Sequence, residues 1–304
     1  MKSRIYKGKY AIVLTPFKEN GEVDYEVLER YLKRAVQSGK ISGLVACGST
    51  GEFTRLSFEE NIGVMECIKD NLGDGMQLIC GATASDSYTS NKYVERISKL
   101  GADGILLAPP YYFKLSDDEI IAFYDDVFKN NSANMPIIGY NIPQCTNRVS
   151  AGVFRKLLNY ECFKGYKNSW NDLQEITEEI CMRDAVRPDV SMFTGLDACL
   201  YATLSLGGDG LFTAITYLMP EVIDCVYTNC GVDNEKALKV QGKLFKLINT
   251  VNRFSFPLGY RILSDAIGEP LGYGREVIDR YTVSNLEQIK QEMKSEYMGI
   301  ISEL

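Results

Sequence analysis

Short strand-like runs alternate with longer amphipathic segments along most of the chain. The short runs fall at residues 10–15, 43–48, 77–82, 104–109, 136–141, 163–168, 190–195 and 210–215. Between and after them, helical spacing of apolar positions covers 24–39, 57–72, 86–100, 120–130, 150–159, 172–183, 197–206 and 220–229. Ser57 with Glu60, and Ser116 with Glu119, spell the S-x-x-E capping box at two helix starts. Eight successive β-then-α units predict an α/β fold of the (β/α)8 TIM-barrel type. An open doubly wound sheet is the competing arrangement, but it usually has fewer units. Beyond residue 230 helical patterning continues without a strand. The division expected is therefore a barrel over 1–230 and a C-terminal helical extension over 231–304.

The sixth run departs from the apolar pattern, because Phe163-Lys164-Gly165-Tyr166-Lys167-Asn168 places Lys167 at its C-terminal lip. Lysine suits a strand interior poorly. Strict alternation puts Lys167 on the face shared by Phe163 and Gly165, the barrel interior. Chemistry in such barrels sits at the C-terminal ends of the strands. Those ends carry Thr15-Pro16, Gly48-Ser49-Thr50-Gly51-Glu52, Thr83, Pro110-Tyr111-Tyr112, Tyr140-Asn141, Lys167, Gly195 with Asp197, and Phe212-Thr213. Hydroxyls and one amine thus converge on one face.

Composition narrows the chemistry. The 304 residues contain no histidine, which excludes Ser-His-Asp and Cys-His nucleophiles and a histidine-liganded zinc. Nine scattered cysteines, without a Cys-x-x-Cys pair, argue against a disulfide framework and a zinc site and fit a reducing compartment. A net charge of −7 disfavours nucleic acid or an anionic membrane as partner. No apolar run approaches membrane length, and no signal-peptide core follows the N-terminus, so a cytoplasmic protein is expected.

Within that frame Lys167 suits an amine nucleophile that forms an imine with a ketone, provided desolvation brings its pKa from about 10.4 toward roughly 7–8. Tyr140, on the adjacent strand end, fits a proton carrier or an amphipathic core tyrosine. Gly48-Ser49-Thr50-Gly51 fits a nest of backbone amides for a carboxylate or a tight turn. Tyr111-Tyr112 fits an aromatic lid or an interface plug. Asp117-Asp118-Glu119 reads as a helix N-terminus that favours negative charge.

Taken together, these residues resemble the dihydrodipicolinate synthase and N-acetylneuraminate lyase superfamily. The match runs from Leu14-Thr15-Pro16-Phe17 through Gly48-Ser49-Thr50-Gly51-Glu52, Gly101-Ala102-Asp103-Gly104, Pro110-Tyr111-Tyr112, Tyr140-Asn141-Ile142-Pro143 and Lys167 to the helical tail. The resemblance implies a Schiff base between Lys167 and pyruvate or another 2-keto acid, with no metal and no cofactor. It implies Tyr140 as proton carrier and Ser49 as a link from Tyr140 to Tyr112, the latter in some members supplied by a neighbouring subunit. The amides of Ser49 and Thr50 would hold the keto-acid carboxylate. Phe212 would turn its carbonyl to the substrate, while Gly195 and Asp197 would line the distal part. A homo-oligomer, tetramer or dimer, is implied as well.

Two departures bear on the substrate. The synthases carry an arginine two residues after the proline of the Tyr-Asn-x-Pro motif, where this chain has Cys145. The sialic-acid lyase branch has an acidic pair after the strand-seven glycine, where this chain has Asp197-Ala198. Asn168-Ser169-Trp170 matches neither branch, and Trp170 suits either a wall of the distal pocket or packing on the outer helices. The reading is a pyruvate-dependent class I aldolase or lyase of the N-acetylneuraminate lyase kind, with an aldehyde or sugar acid as the other substrate. The alternatives are a dihydrodipicolinate synthase, a Schiff-base dehydratase or deaminase, and a metabolite-binding barrel without catalysis.

Overall fold

A computed structural model describes residues 3–304. Eight parallel strands close into a barrel in sequence order, each neighbour paired with the next and the last with the first. They are β1 Gly8–Ile12, β2 Gly43–Ala46, β3 Gln77–Gly81, β4 Gly104–Leu107, β5 Ile137–Asn141, β6 Phe163–Asn168, β7 Ser191–Thr194 and β8 Gly210–Thr213. Closure brings β8 against β1 so tightly that a Cβ on Gly210 would lie 1.8 Å from the Gly8 carbonyl oxygen. Glycine at that φ of +153° is what lets the seam shut.

The helices around the barrel are α1 Tyr25–Gln37, α2 Phe58–Asp70, α3 Ser87–Leu100, α4 Asp117–Asn130, α5 Ala151–Leu157, α6 Leu173–Val186, α7 Leu200–Ser205, α8 Ile215–Leu218 and α9 Pro220–Asn229. Both expected capping boxes form, at Ser57–Glu60 on α2 and Ser116–Glu119 on α4. The acidic run Asp117-Asp118-Glu119 is the first turn of α4. The seventh helical segment is shorter than its pattern predicts. Asp197–Cys199 forms a 3-10 turn, and only Leu200–Ser205 is α-helical. Strand one starts and ends earlier than the apolar run predicts, so Val13, Leu14 and Thr15 lie in the loop above it.

Two apolar layers hold the barrel together. The outer layer packs strand backs against helices. The inner one contains Tyr10, Ile12, Val45, Ile79, Leu106, Ile138, Tyr140, Phe193 and Phe212. Tyr10 stacks on Phe212 at 4.5 Å between ring centroids, and Phe193 meets Phe212 edge-on at 4.6 Å. These rings fill the barrel bore and form a dry floor beneath the strand ends.

Strand β6 corrects the sequence reading in one respect. Phe163 does not share a face with Lys167. The β5–β6 register runs Ile137↔Phe163 and then Ile138↔Gly165, so Lys164 is an extra residue that shifts the alternation. Phe163 packs outward against Phe154 of α5, while Gly165 and Lys167 face the bore.

The tail folds as α10 Asn234–Val251, α11 Leu258–Ala266 and α12 Arg280–Ile301. It is not wholly helical, since Tyr273 makes an antiparallel bridge to Phe17. Among the described residues, no helix is long and apolar enough to cross a membrane.

Candidate active site

Lys167, the residue before the last in β6, has its side chain in the bore, 1 % exposed. Its amine lies 3.8 Å from the centroid of the Tyr140 ring, on the neighbouring strand paired in register with it. Burial pushes its pKa down to about 7, and the nearby Asp197 carboxylate offsets only part of that. An amine with this value is neutral in a large fraction of molecules at neutral pH, as nucleophilic attack requires.

Tyr140 is buried, and its pKa rises to about 12 through burial, countered in part by hydrogen bonds with Ser169 and Ser49. Ser49 Oγ lies 3.0 Å from its phenolic oxygen. Ser169 Oγ donates to the same oxygen at 3.4 Å. The phenol therefore stays protonated at neutral pH and has two hydroxyl neighbours through which a proton can pass.

The loop after β2 is held open by its ends. Cys47 and Glu52 sit at positive φ, 53° and 61°. Thr15 Oγ1 donates to the Gly51 carbonyl at 2.7 Å. Glu52 is buried and ion-paired with Arg261 of α11, which also donates to the Thr15 carbonyl at 2.6 Å. Among the described residues, the amides of Ser49 and Thr50 donate to no backbone acceptor. Two unengaged N–H groups beside a lysine suit a carboxylate. The Thr83 hydroxyl, by contrast, is occupied in accepting from the Ala108 amide.

Asp197 is buried at the far side of the lysine. Tyr260 of α11 donates to its Oδ2 at 3.2 Å, while Oδ1 has no partner among the described residues. Burial raises its pKa to about 6, against the pull of hydrogen bonds with Thr213 and Tyr260 and of the Lys167 charge.

These groups share one cavity of about 550 Å3, lined by Ser49, Thr50, Tyr140, Lys167, Gly195, Asp197 and Phe212 among others. A second chamber of about 400 Å3 adjoins it across Ser49, Tyr140, Ile142, Cys145 and Phe256. Tyr112 stands on the rim of that chamber, 88 % exposed, at a φ of +78°. Its ring touches Phe113 and not the Ser49–Tyr140 pair. Seven of the eight residues expected at the site thus come together within this chain, and Tyr112 stays outside.

Sequence reasoning missed two groups. Ser169 follows the lysine by two positions, and alternation along β6 was the signal for it. Tyr260 comes from the tail, about sixty residues after Asp197, with no local signal. Trp170 lines neither chamber. Its ring carries the Arg148 guanidinium at 5.5 Å, and Arg148 is ion-paired with Glu175 of α6.

The chain matches the family described as the dihydrodipicolinate synthetase family over residues 6–296. It is 32 % identical to an uncharacterized DapA-like lyase of Pyrococcus abyssi over 82 % of this chain and 84 % of that one. It is 30 % identical to the 4-hydroxy-tetrahydrodipicolinate synthase of Methanocaldococcus jannaschii, covering 88 % of this chain and 91 % of that one. In three dimensions it resembles YagE, a prophage protein of the dihydrodipicolinic acid synthase family from E. coli K12 solved in complex with pyruvate. The TM-score is 0.86 over 95 % of this chain and 99 % of that one, at 22 % identity, a likeness of fold. A buried amine beside a phenol on a closed eight-stranded barrel, together with a family match along nearly its whole length, makes this chain a lyase of the dihydrodipicolinate synthetase family.

Proposed function

We propose that the protein is a class I aldolase of the N-acetylneuraminate lyase kind, acting on a 2-keto acid held as a Schiff base on Lys167. The observation that carries this reading is the depressed, buried amine of Lys167 against the Tyr140 ring. In the forward sense the neutral amine attacks the C2 carbonyl of pyruvate to give a carbinolamine. Loss of water, with a proton supplied through Tyr140, leaves the protonated imine. In the cleavage sense the same imine accepts the electron pair of the C3–C4 bond as the aldehyde departs. The proton of the C4 hydroxyl leaves through the phenol and its hydroxyl neighbours. Pyruvate bound to YagE supports the 2-keto acid half of this proposal.

Cys145 supports the aldolase over the synthase. It lines both chambers where a synthase would present a guanidinium, and a thiol cannot grip a second carboxylate bidentately. Arg148, three residues further along the chain, is engaged by Glu175 and Trp170, and Arg55, which lines the second chamber, is ion-paired with Glu52. The synthase reading draws its support from the Methanocaldococcus relative. The exposed Tyr112 and Phe113 support a homo-oligomer in which Tyr112 completes the relay of another subunit.

The test is incubation with pyruvate and borohydride followed by mass measurement. A pyruvate-sized gain on the wild type that disappears in Lys167→Ala is expected, and an undiminished gain on the variant ends the proposal. A panel of 2-keto sugar acids, assayed for pyruvate release, then separates the aldolase from the synthase and from a dehydratase or deaminase.

A further inference from the structure

Behind the two reactive side chains lies a second, wholly buried polar chain. The residue after Tyr140 is Asn141 and the residue after Lys167 is Asn168, and both turn away from the bore into the layer under α6. They are 0 % and 3 % exposed. Asn141 Nδ2 donates to Asn168 Oδ1 at 3.2 Å. Asn141 Oδ1 accepts from the Val149 amide at 3.0 Å, and Asn168 Oδ1 also accepts from the Trp170 amide at 2.8 Å. The remaining donor, Asn168 Nδ2, goes to Glu179 Oε2 at 2.7 Å. Glu179 lies on α6 and is 0 % exposed.

Such a carboxyl is costly to bury, and none of its neighbours neutralises it by direct contact. The titratable groups around it are Glu175 on its own helix, Tyr166 on β6 and Arg148 from the loop after β5, whose charge is paired with Glu175. Burial raises its pKa to about 8, so it is mostly uncharged at neutral pH. Its other oxygen, Oε1, has no partner among the described residues and borders a cavity of about 10 Å3 shared with Asn168, Thr194 and Thr203. The short hydrogen bond of Glu179 is to the carboxamide joining the two strand ends, with a weaker interaction with the Tyr166 phenol of β6.

We propose that Glu179 is a positioning residue, fixing Asn168 and through it Asn141, so that β5 and β6 present Tyr140 and Lys167 to one substrate carbon in fixed register. The inference rests on the reading that Lys167 and Tyr140 carry the reaction. The backbone ladder joins the two strand ends as far as the Ser169 amide, which donates to the Asn141 carbonyl at 2.8 Å, and a tie between side chains beside it fixes how those ends are turned. The Asn141–Asn168 pair is that tie, and Glu179 sets the rotamer in which Asn168 makes it. A misplacement of about 1 Å in such a pair costs up to about 100-fold in rate.

The experiment follows exchange of the pyruvate methyl protons with deuterium by NMR, together with borohydride trapping on Lys167. The variants are Glu179→Gln, Glu179→Leu, Asn168→Ala and the Glu179→Leu/Asn168→Ala double variant. Exchange needs the imine to lose a C3 proton through Tyr140 and regain a deuteron, so it reads the register of the two groups. Glu179→Leu and Asn168→Ala are expected to trap pyruvate yet exchange at least about tenfold more slowly. The double variant should be no slower than either single one, because all three break the same chain. Glu179→Gln, which keeps the acceptor oxygen, should restore exchange. Wild-type exchange in Asn168→Ala or in folded Glu179→Leu overturns the proposal, as does Glu179→Gln as slow as Glu179→Leu, or additive losses in the double variant. Absence of trapping on the wild type instead removes the underlying Schiff-base reading, a separate result.

Discussion

Gly195 and Lys167 compete for one space. A Cβ on Gly195 would lie 2.6 Å from Lys167 Cε and 1.9 Å from Ser169 Oγ. The position just after β7 can therefore carry no side chain if the lysine is to lie along the bore toward Tyr140. Gly195→Ala is expected to displace the amine and the Ser169 hydroxyl together. Pyruvate trapping should slow by at least about tenfold, and overpacking should lower stability by about 1–3 kcal/mol. Trapping rates and a denaturant titration on the same preparation check both parts, and a wild-type trapping rate in the alanine variant contradicts this geometry.

The depressed pKa of Lys167 sets a pH dependence. Only the neutral amine attacks a carbonyl, so the rate of imine formation should climb about tenfold per pH unit below about 7 and level off above it. The measurement is the initial trapping rate at subsaturating pyruvate from pH 5 to 10. An inflection near 10, the ordinary lysine value, would show that the amine is solvated.

The same burial makes the lysine a burden on stability. Its pKa is lower in the folded chain than in the unfolded one, so the unfolded chain binds the extra proton between about pH 10 and 7. Stability from this group is accordingly lost as pH falls through that window and stays lost below it. Lys167→Met should therefore be inactive and yet melt higher than the wild type, by roughly 2 °C or more at pH 7. The gap should close toward pH 10, and thermal melts across that range test it.

Tyr140 and Ser49 should separate by size of effect. Tyr140→Phe keeps the ring under the amine but removes the proton carrier, so turnover should fall about 10²–10⁴-fold while borohydride still traps pyruvate. Ser49→Ala removes one neutral hydrogen bond to the phenol, worth about 1 kcal/mol, and should cost about fivefold. Equal losses in the two variants would mean that the phenol acts only through the serine.

The Tyr260–Asp197 contact links the tail to the site. Tyr260→Phe removes a hydrogen bond to the carboxylate form of Asp197, so the pKa of Asp197 should move up from about 6. Any limb of the turnover profile that follows Asp197 should move to higher pH in this variant, and comparison of the two profiles is the check.

Much of this protein was legible in the one-dimensional pattern. Eight alternations of short and long apolar periods specify a closed barrel, because the periods 2 and 3.6 are local properties of the backbone. The capping boxes at Ser57 and Ser116, and the placing of Ser49, Tyr140 and Lys167 at strand ends, follow from the same local rules. Other features are decided by residues distant in sequence. The extra residue Lys164 in β6 turns Phe163 outward, and that depends on the register against β5, which alternation cannot reveal. Tyr260 and Arg261 reach the site only because the tail packs across the barrel mouth. Glu179 appears in the sequence as one more acidic residue on a helix, and only the packing of α6 on β6 removes it from water and points it at Asn168. Periodicity fixes which face of an element is buried, whereas burial of a polar group and its partner are set by contacts that no local spacing encodes.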